Sequence, residues 1–114
     1  MNNGVVLYNI ESNGCLNGVY TNDGVSGEIF NEIARLQING QRGEDGISGI
    51  YDCLYFDLNN SSCNRSLKIS VSPQHSARKI YTYTFEWSNE NVMSFKGTGY
   101  RMNETQIVVH YTNA

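Results

Sequence analysis

The chain has 114 residues, enough for one domain and too few for a second core, so we treat 1–114 as a single domain. Its formal net charge of −3 argues against nucleic-acid binding, which requires an excess of Lys and Arg on one face. Its apolar runs are too short to span a bilayer, so we expect no membrane partner. Residues 1–4 show no signal-peptide pattern, which favours the cytoplasm; a periplasmic or secreted location applies if the chain is a mature form.

Turn-forming residues recur along the chain at short intervals. It contains fifteen asparagines and eleven glycines, and Asn-Gly and Asp-Gly pairs accept the positive φ of tight hairpin turns. The turn signals lie at 12–14, 22–24, 39–46, 59–61, 72–74, 88–91 and 102–104. They divide the chain into eight pieces of about 14 residues, and short strands at this spacing predict an all-β sandwich or barrel.

The first third of the chain predicts a hairpin followed by a segment with two interpretations. Residues 5–10 and 15–21 flank the turn at 12–14 as the two strands of the hairpin. The segment 27–38 has a helical spacing, with Ser26 as N-cap and Asn39-Gly40 as C-cap. The apolar residues that this spacing places in one arc are Ile29, Phe30, Ile33, Ala34 and Leu36. The local pattern therefore favours one short helix at 27–38.

Residues 47–58 predict a strand that is apolar on both faces. The two faces carry Ile47, Tyr51, Cys53 and Tyr55 on one side and Ile50, Leu54, Phe56 and Leu58 on the other. A barrel strand needs only one apolar face, so the second set is an exposed apolar patch in a monomer. We therefore expect a homodimer in which 47–58 packs against a second copy across a twofold axis, unless a loop or the 27–38 helix covers the patch.

Three consecutive segments within 80–112 alternate with period two, which predicts a three-stranded antiparallel meander. The residues expected on the buried face are Tyr81, Tyr83, Phe85 and Trp87, then Met93, Phe95, Gly97 and Gly99, then Ile107, Val109 and Tyr111. Glycines beside a row of aromatic residues leave space for the rings and let a strand coil as a closed barrel requires.

The motifs Tyr83-x-Phe85-x-Trp87, Phe95-x-Gly97-x-Gly99 and Ile107-x-Val109-x-Tyr111 resemble the closing strands of small bacterial calycin-like barrels, which include lipocalin-like and avidin-like domains. The stretch 16–21 followed by 49–51 is similar to the opening of the same domains. The resemblance implies a single antiparallel, eight-stranded up-and-down barrel in which 27–38 is a strand. The small size of the chain favours the avidin-like type, but the biotin site of that family has no match here, so the resemblance implies no particular ligand.

No motif indicates catalysis, a cofactor or a metal. The chain lacks a G-x-S-x-G elbow, a P-loop, G-x-G-x-x-G and H-E-x-x-H. Three cysteines without a C-x-x-C pair argue against structural zinc. Cys53 and Cys63 are thiols in a reducing compartment or a hairpin disulfide in an oxidising one. The polar residues expected on a solvated surface are Glu28, Glu32, His75 and His110. Asn31 and Arg35 are candidates for hydrogen-bonding groups inside the lumen, and a position on the outside is an equal alternative for Arg35.

The candidates for ligand binding are Tyr51, Tyr83, Trp87, Arg101 and Tyr111. Trp87 ends the aromatic row just before a polar turn, so its indole N–H is expected at a barrel mouth within reach of polar partners. Tyr111 is expected nearest to it on the last strand, and Arg101 at the opposite end of the lumen. The same rings are also suited to filling a barrel of this size.

Two classes of function follow from these features. We expect a non-catalytic binding module that holds a small, partly apolar ligand in or at the mouth of the barrel. The alternative is a protein–protein interaction or inhibitor protein with a packed lumen and an apolar outer face. An enzyme is the third choice, because no catalytic set is visible.

Overall fold

The computed structural model describes residues 3–24, 28–37, 40–56, 59–72 and 82–114. Eight strands follow one another: β1 (Asn3–Ile10), β2 (Cys15–Asn22), β3 (Phe30–Leu36), β4 (Gly49–Phe56), β5 (Ser62–Val71), β6 (Thr82–Asn89), β7 (Val92–Asn103) and β8 (Gln106–Asn113). Each strand pairs antiparallel with the next, and β8 pairs with β1, so the sheet closes into an up-and-down barrel. This confirms the all-β, eight-stranded fold. Within the described residues, no helix is long and apolar enough to cross a membrane.

The segment 30–36 is a strand, so the helical interpretation of 27–38 is wrong there; Ser26 and Asn39, its expected caps, lie outside the described residues. β3 pairs with β2 on one side and with β4 on the other. These two neighbours satisfy its backbone hydrogen bonds, and tertiary pairing therefore overrides the local helical spacing. The inward face of β3 carries Phe30, Glu32 and Ala34.

The meander β6–β7–β8 has the expected simple antiparallel order, although Ile80 and Tyr81 lie outside the described residues. β6 and β7 join through Glu90 and Asn91, which both have positive φ, as a two-residue hairpin turn requires. The pairing register shifts after Trp87, so that Ser94 is an extra residue opposite β6. Met93 consequently leaves the inward face and is 40% exposed, in contrast to the prediction.

β4 has the two apolar faces that the sequence predicts. Tyr51 and Cys53 are buried inside the barrel, whereas Ile50, Leu54 and Phe56 are 46%, 39% and 45% exposed on the outside. Leu58 lies outside the described residues, and Ile47 belongs to the loop before β4, where it is buried.

The residues 40–48 close one end of the barrel, which we call the loop end. The Arg42 guanidinium donates to the carbonyl oxygens of Glu11 (2.9 Å) and Cys15 (3.3 Å) and to the Tyr51 hydroxyl (3.0 Å). The Tyr51 hydroxyl donates in turn to the carbonyl oxygen of Ile47 at 2.7 Å. The opposite end, at which β6 and β8 terminate, is called the aromatic end below.

Candidate functional site

A glutamate is buried inside the barrel toward the aromatic end. Glu32 points inward from β3 and is only 7% exposed. Its Oε2 accepts a hydrogen bond from the Tyr8 hydroxyl and one from the Trp87 indole Nε1 at 3.4 Å. The Cys53 thiol forms a hydrogen bond to the same carboxyl group. The sequence-based expectation that Glu32 lies on a solvated surface is therefore wrong.

Tyr8 reaches Glu32 because a glycine separates them in the sheet. Tyr8 on β1 pairs with Gly18 on β2, and Gly18 pairs with Glu32 on β3. A Cβ atom on Gly18 would lie 2.8 Å from the Tyr8 ring, which is too close for a normal contact. The ring therefore lies across Gly18 and places its hydroxyl on the carboxyl group of the strand beyond.

Burial dominates the proton affinity of this cluster. Burial raises the pKa of Glu32, and the hydrogen bonds from Tyr8, Cys53 and Trp87 offset only part of that rise. Burial, and then the charge of Glu32, also raises the pKa of both Tyr8 and Cys53. No Lys, Arg or His of the described residues contributes to the pKa of Glu32. The carboxyl group is therefore a hydrogen-bond donor when protonated and, when ionised, a buried anion to which the described residues supply no cation.

Six aromatic rings surround the barrel end above Glu32, and we call them the aromatic rim. The rim comprises Tyr20, Phe30, Tyr55, Trp87, Phe95 and Tyr111. Tyr20 stacks on Phe30 and meets Tyr55 edge-on, with centroid distances of 5.7 and 5.9 Å, and its hydroxyl donates to the carbonyl oxygen of Phe56 at 2.7 Å. The ring of Tyr111 lies 5.7 Å from that of Trp87 and 5.8 Å from that of Phe95.

Tyr111 crosses the mouth in the same way as Tyr8 crosses the lumen. It pairs with Gly4 on β1, and Gly4 pairs with Asn22 on β2. A Cβ atom on Gly4 would overlap the Tyr111 ring. The Tyr111 hydroxyl accepts from the Asn22 side-chain amide at 3.2 Å and approaches the Thr21 carbonyl oxygen at 3.5 Å. Both distances are at or beyond the upper end of the hydrogen-bond range, so these two contacts of the hydroxyl are weak.

Arg65 provides a positive charge on the β5 side of the rim. It pairs with Cys53, so its side chain starts from the inward face. The guanidinium lies 5.7 Å from the centre of the Tyr55 ring and donates to Ser94 Oγ (3.1 Å) and to the Asn64 carbonyl oxygen (2.8 Å). Burial raises the pKa of Tyr55 to about 12, although the Arg65 charge opposes that rise.

The five ligand-binding candidates from the sequence divide between the two ends of the barrel. Trp87 and Tyr111 are in contact at the aromatic end. Tyr51 and Tyr83 lie near the loop-end termini of β4 and β6, and both are fully buried. Arg101 lies near the loop-end terminus of β7, where its Nη2 approaches Gly46. Trp87 and Arg101 therefore occupy opposite ends, and the five residues do not form one site.

The residues that sequence analysis missed are Glu32, Tyr8 and Arg65. Asn31 and Arg35, the expected lumen candidates, are exposed on the outer face, because β3 presents the alternate residues inward. His110 is exposed, and His75 lies outside the described residues. The role of Glu32 can be predicted only from the pairing of three strands, because it depends on the register that aligns Tyr8, Gly18 and Glu32.

The cysteines and carboxylates do not assemble a metal site in the described residues, where no group of three His, Cys, Asp or Glu side chains converges. No disulfide joins Cys53 and Cys63. Comparison of the chain with models of known protein families, with curated proteins and with solved structures finds no match.

Proposed function

We propose that the protein is a non-catalytic binding module that takes a small, partly apolar ligand at the aromatic end, with Glu32 as its polar anchor. The observation that carries the proposal is the position of Glu32, a carboxyl group buried directly beneath a rim of aromatic rings. Some up-and-down barrels of eight strands hold one small ligand inside the barrel, whereas others are filled by side chains. The calycin-like resemblance implies a barrel of the first kind.

Glu32 is energetically unfavourable as a residue that only fills the core. A buried carboxyl group without a cation costs more free energy than an apolar side chain of similar volume. Tyr8, Trp87 and Cys53 orient this group without supplying a counter-charge. Carboxyl groups whose pKa is strongly perturbed by burial cluster at functional sites.

Entry to the site requires movement of Tyr111. Trp87 is only 3% exposed and Tyr111 covers it from the β8 side. Among the described residues, the Tyr111 hydroxyl contacts the Asn22 amide and the Thr21 carbonyl oxygen, both at long distances. A rotation of this ring toward solvent would uncover the Trp87 indole, which hydrogen-bonds to the Glu32 carboxyl group.

The fluorescence of Trp87 tests the proposal, since it is the single tryptophan of the chain. Titration with 3-phenylpropanol, a neutral ligand with an apolar body, should change its emission and saturate. The Tyr51→Phe variant is the matched control: Tyr51 lies at the loop end, so its loss should leave the titration unchanged. An emission that stays blue, is not quenched by acrylamide and is unaffected by the probe would contradict the proposal in favour of a solid barrel.

A second candidate function is protein–protein interaction through the outer face of β4. Ile33 on β3 pairs with Leu54 on β4, and both are exposed beside Ile50 and Phe56. We propose a second copy of this chain as the partner, since a patch of exposed aliphatic and aromatic side chains is suited to a twofold contact.

A further inference from the structure

We infer that the ligand class of the aromatic end is a small amine with an apolar body, whose ammonium group pairs with the Glu32 carboxylate. The inference rests on the proposed function and specifies its ligand. A hydrogen-bonded ammonium group supplies the counter-charge that Glu32 lacks in the described structure.

The groups that face Glu32 support a cation. They are Tyr8 from β1, Tyr20 from β2, Cys53 from β4, Trp87 from β6 and Tyr111 from β8. Tyr8, Tyr20, Cys53 and Tyr111 are neutral when protonated and negative when deprotonated. None of these four side chains therefore carries a positive charge that would repel an ammonium group. Aromatic rings also attract cations over their faces, and the rim contains six such rings.

Among the described residues, Arg65 is a cation whose charge acts on this cluster, and it would repel an ammonium group on the β5 side. Its charge acts on Cys53 and on Tyr55, but it does not contribute to the pKa of Glu32. Its guanidinium is held against Tyr55 by Ser94 and Asn64. The ammonium group is therefore expected on the side of Trp87 and Tyr111, where the described residues carry no positive charge.

Binding of the amine should release a proton. Burial favours the protonated form of Glu32 in the free protein, and the ammonium group favours the ionised form in the complex. Where the pH leaves this carboxyl group protonated in the free protein, its proton passes to solvent as the ligand binds. Affinity for the amine should therefore increase as the pH rises through the pKa of Glu32, and decrease again once the amine itself loses its proton.

Three probes with the same ring and chain length test the inference: 3-phenylpropylamine, 3-phenylpropanol and 3-phenylpropanoate. Titrations followed by Trp87 fluorescence at neutral pH should give an affinity for the amine about tenfold or more above that for the alcohol, as expected for a charge-assisted hydrogen bond. In Glu32→Gln, which keeps an acceptor for Tyr8, the amine should lose this advantage and the alcohol should bind as before.

The outcomes separate the inference from the proposed function. If the alcohol binds and the amine binds no more tightly, the inference is wrong and the proposed function stands. If the propanoate binds most tightly and Arg65→Gln removes its advantage, the site recognises anions and the inference is again wrong. If none of the probes changes the Trp87 emission, both fail. Should Glu32→Gln not fold, the pH dependence of amine affinity in the unmodified protein decides: an affinity that does not increase with pH below neutrality contradicts the inference.

Discussion

The indole Nε1 of Trp87 lies 3.4 Å from Oε2 of Glu32, and the two residues are 55 positions apart in the chain. The contact runs across the lumen from β6 to β3, and these strands are not neighbours in the barrel. It connects the single tryptophan of the chain to the one glutamate that is buried among the described residues. The fluorescence of Trp87 is therefore a direct reporter on the group that we propose as the ligand anchor.

The stability of the protein should depend on pH through Glu32. Its pKa is raised in the folded state, so the folded state binds more protons than the unfolded state between the two pKa values. The stabilising contribution of Glu32 to the free energy of unfolding is present below its pKa in the unfolded state. This contribution is lost as the pH rises through its pKa in the folded state. In this window the free energy of unfolding should fall by up to about 1.4 kcal/mol per pH unit relative to Glu32→Gln. Denaturant unfolding of both proteins across the pH range measures this difference.

Asp45 supplies a control of opposite sign at the loop end. Burial acts to raise its pKa, but hydrogen bonds from the Ser48 hydroxyl and from backbone N–H groups of Ser48 and Ile47 outweigh burial and lower it. The contribution of Asp45 to the free energy of unfolding should be lost as the pH falls through its folded-state pKa, and Asp45→Asn should remove that loss.

For Glu32, a difference in the free energy of unfolding between the unmodified protein and Glu32→Gln that does not vary with pH would show that Glu32 is not buried as described.

Trp87→Ala should destabilise the fold strongly. The ring is 3% exposed and packs against Phe85 and Tyr111, with centroid distances of 5.7 Å to each. Its removal leaves a cavity, and the free energy of unfolding should fall by about 3–5 kcal/mol. Trp87→Phe keeps most of the packing and should cost less. A loss below about 1 kcal/mol for Trp87→Ala would place the ring in solvent rather than in the packed rim.

Two glycine substitutions should have different effects. In Gly4→Ala the three atoms nearest to the new Cβ all belong to the hydroxyl half of the Tyr111 ring, so this ring has to rotate. We expect a small loss of stability and increased acrylamide quenching of Trp87. In Gly97→Ala the Cβ lies 2.6 Å from the carbonyl oxygen of His110, which is held in the β7–β8 ladder. Because the backbone cannot move away, this variant should lose about 1–3 kcal/mol. Equal quenching in Gly4→Ala and the unmodified protein would contradict the role of Tyr111 as the cover of the site.

The outer face of β4 should mediate dimerisation at micromolar concentration. Sedimentation velocity should show a dimer for the unmodified protein and a monomer for Leu54→Lys, which places a charge in the exposed apolar patch. Val19→Thr, on the outer face of β2, serves as the control and should remain dimeric. A monomer of the unmodified protein would overturn the dimer proposal and leave the aromatic end unaffected.

The barrel is predictable from the sequence where the pattern is local. The alternation that ends in Trp87 and Tyr111 identifies β6 and β8, and their inward faces are as expected. β3 is not predictable in this way, because the spacing of its apolar residues is helical and only pairing with β2 and β4 makes it a strand.

The candidate site is less predictable, since it depends on register between strands that are distant in sequence. Glu32 becomes an inward residue only when β3 is a strand, and Tyr8 reaches it only because Gly18 stands between them. Arg65 faces inward because it pairs with Cys53. None of these relations is visible within a single segment, whereas the contact of Trp87 with Tyr111 follows from matching faces in the meander.

The most direct test of the central claim is the titration of the Glu32 carboxyl carbon by ¹³C NMR, with and without 3-phenylpropylamine. If Glu32 is the buried anchor of an amine site, its midpoint should lie above the ordinary value of 4.5 in the free protein and should fall when the amine is bound. A midpoint at the ordinary value in the free protein, or one that the amine leaves unchanged, would contradict the account.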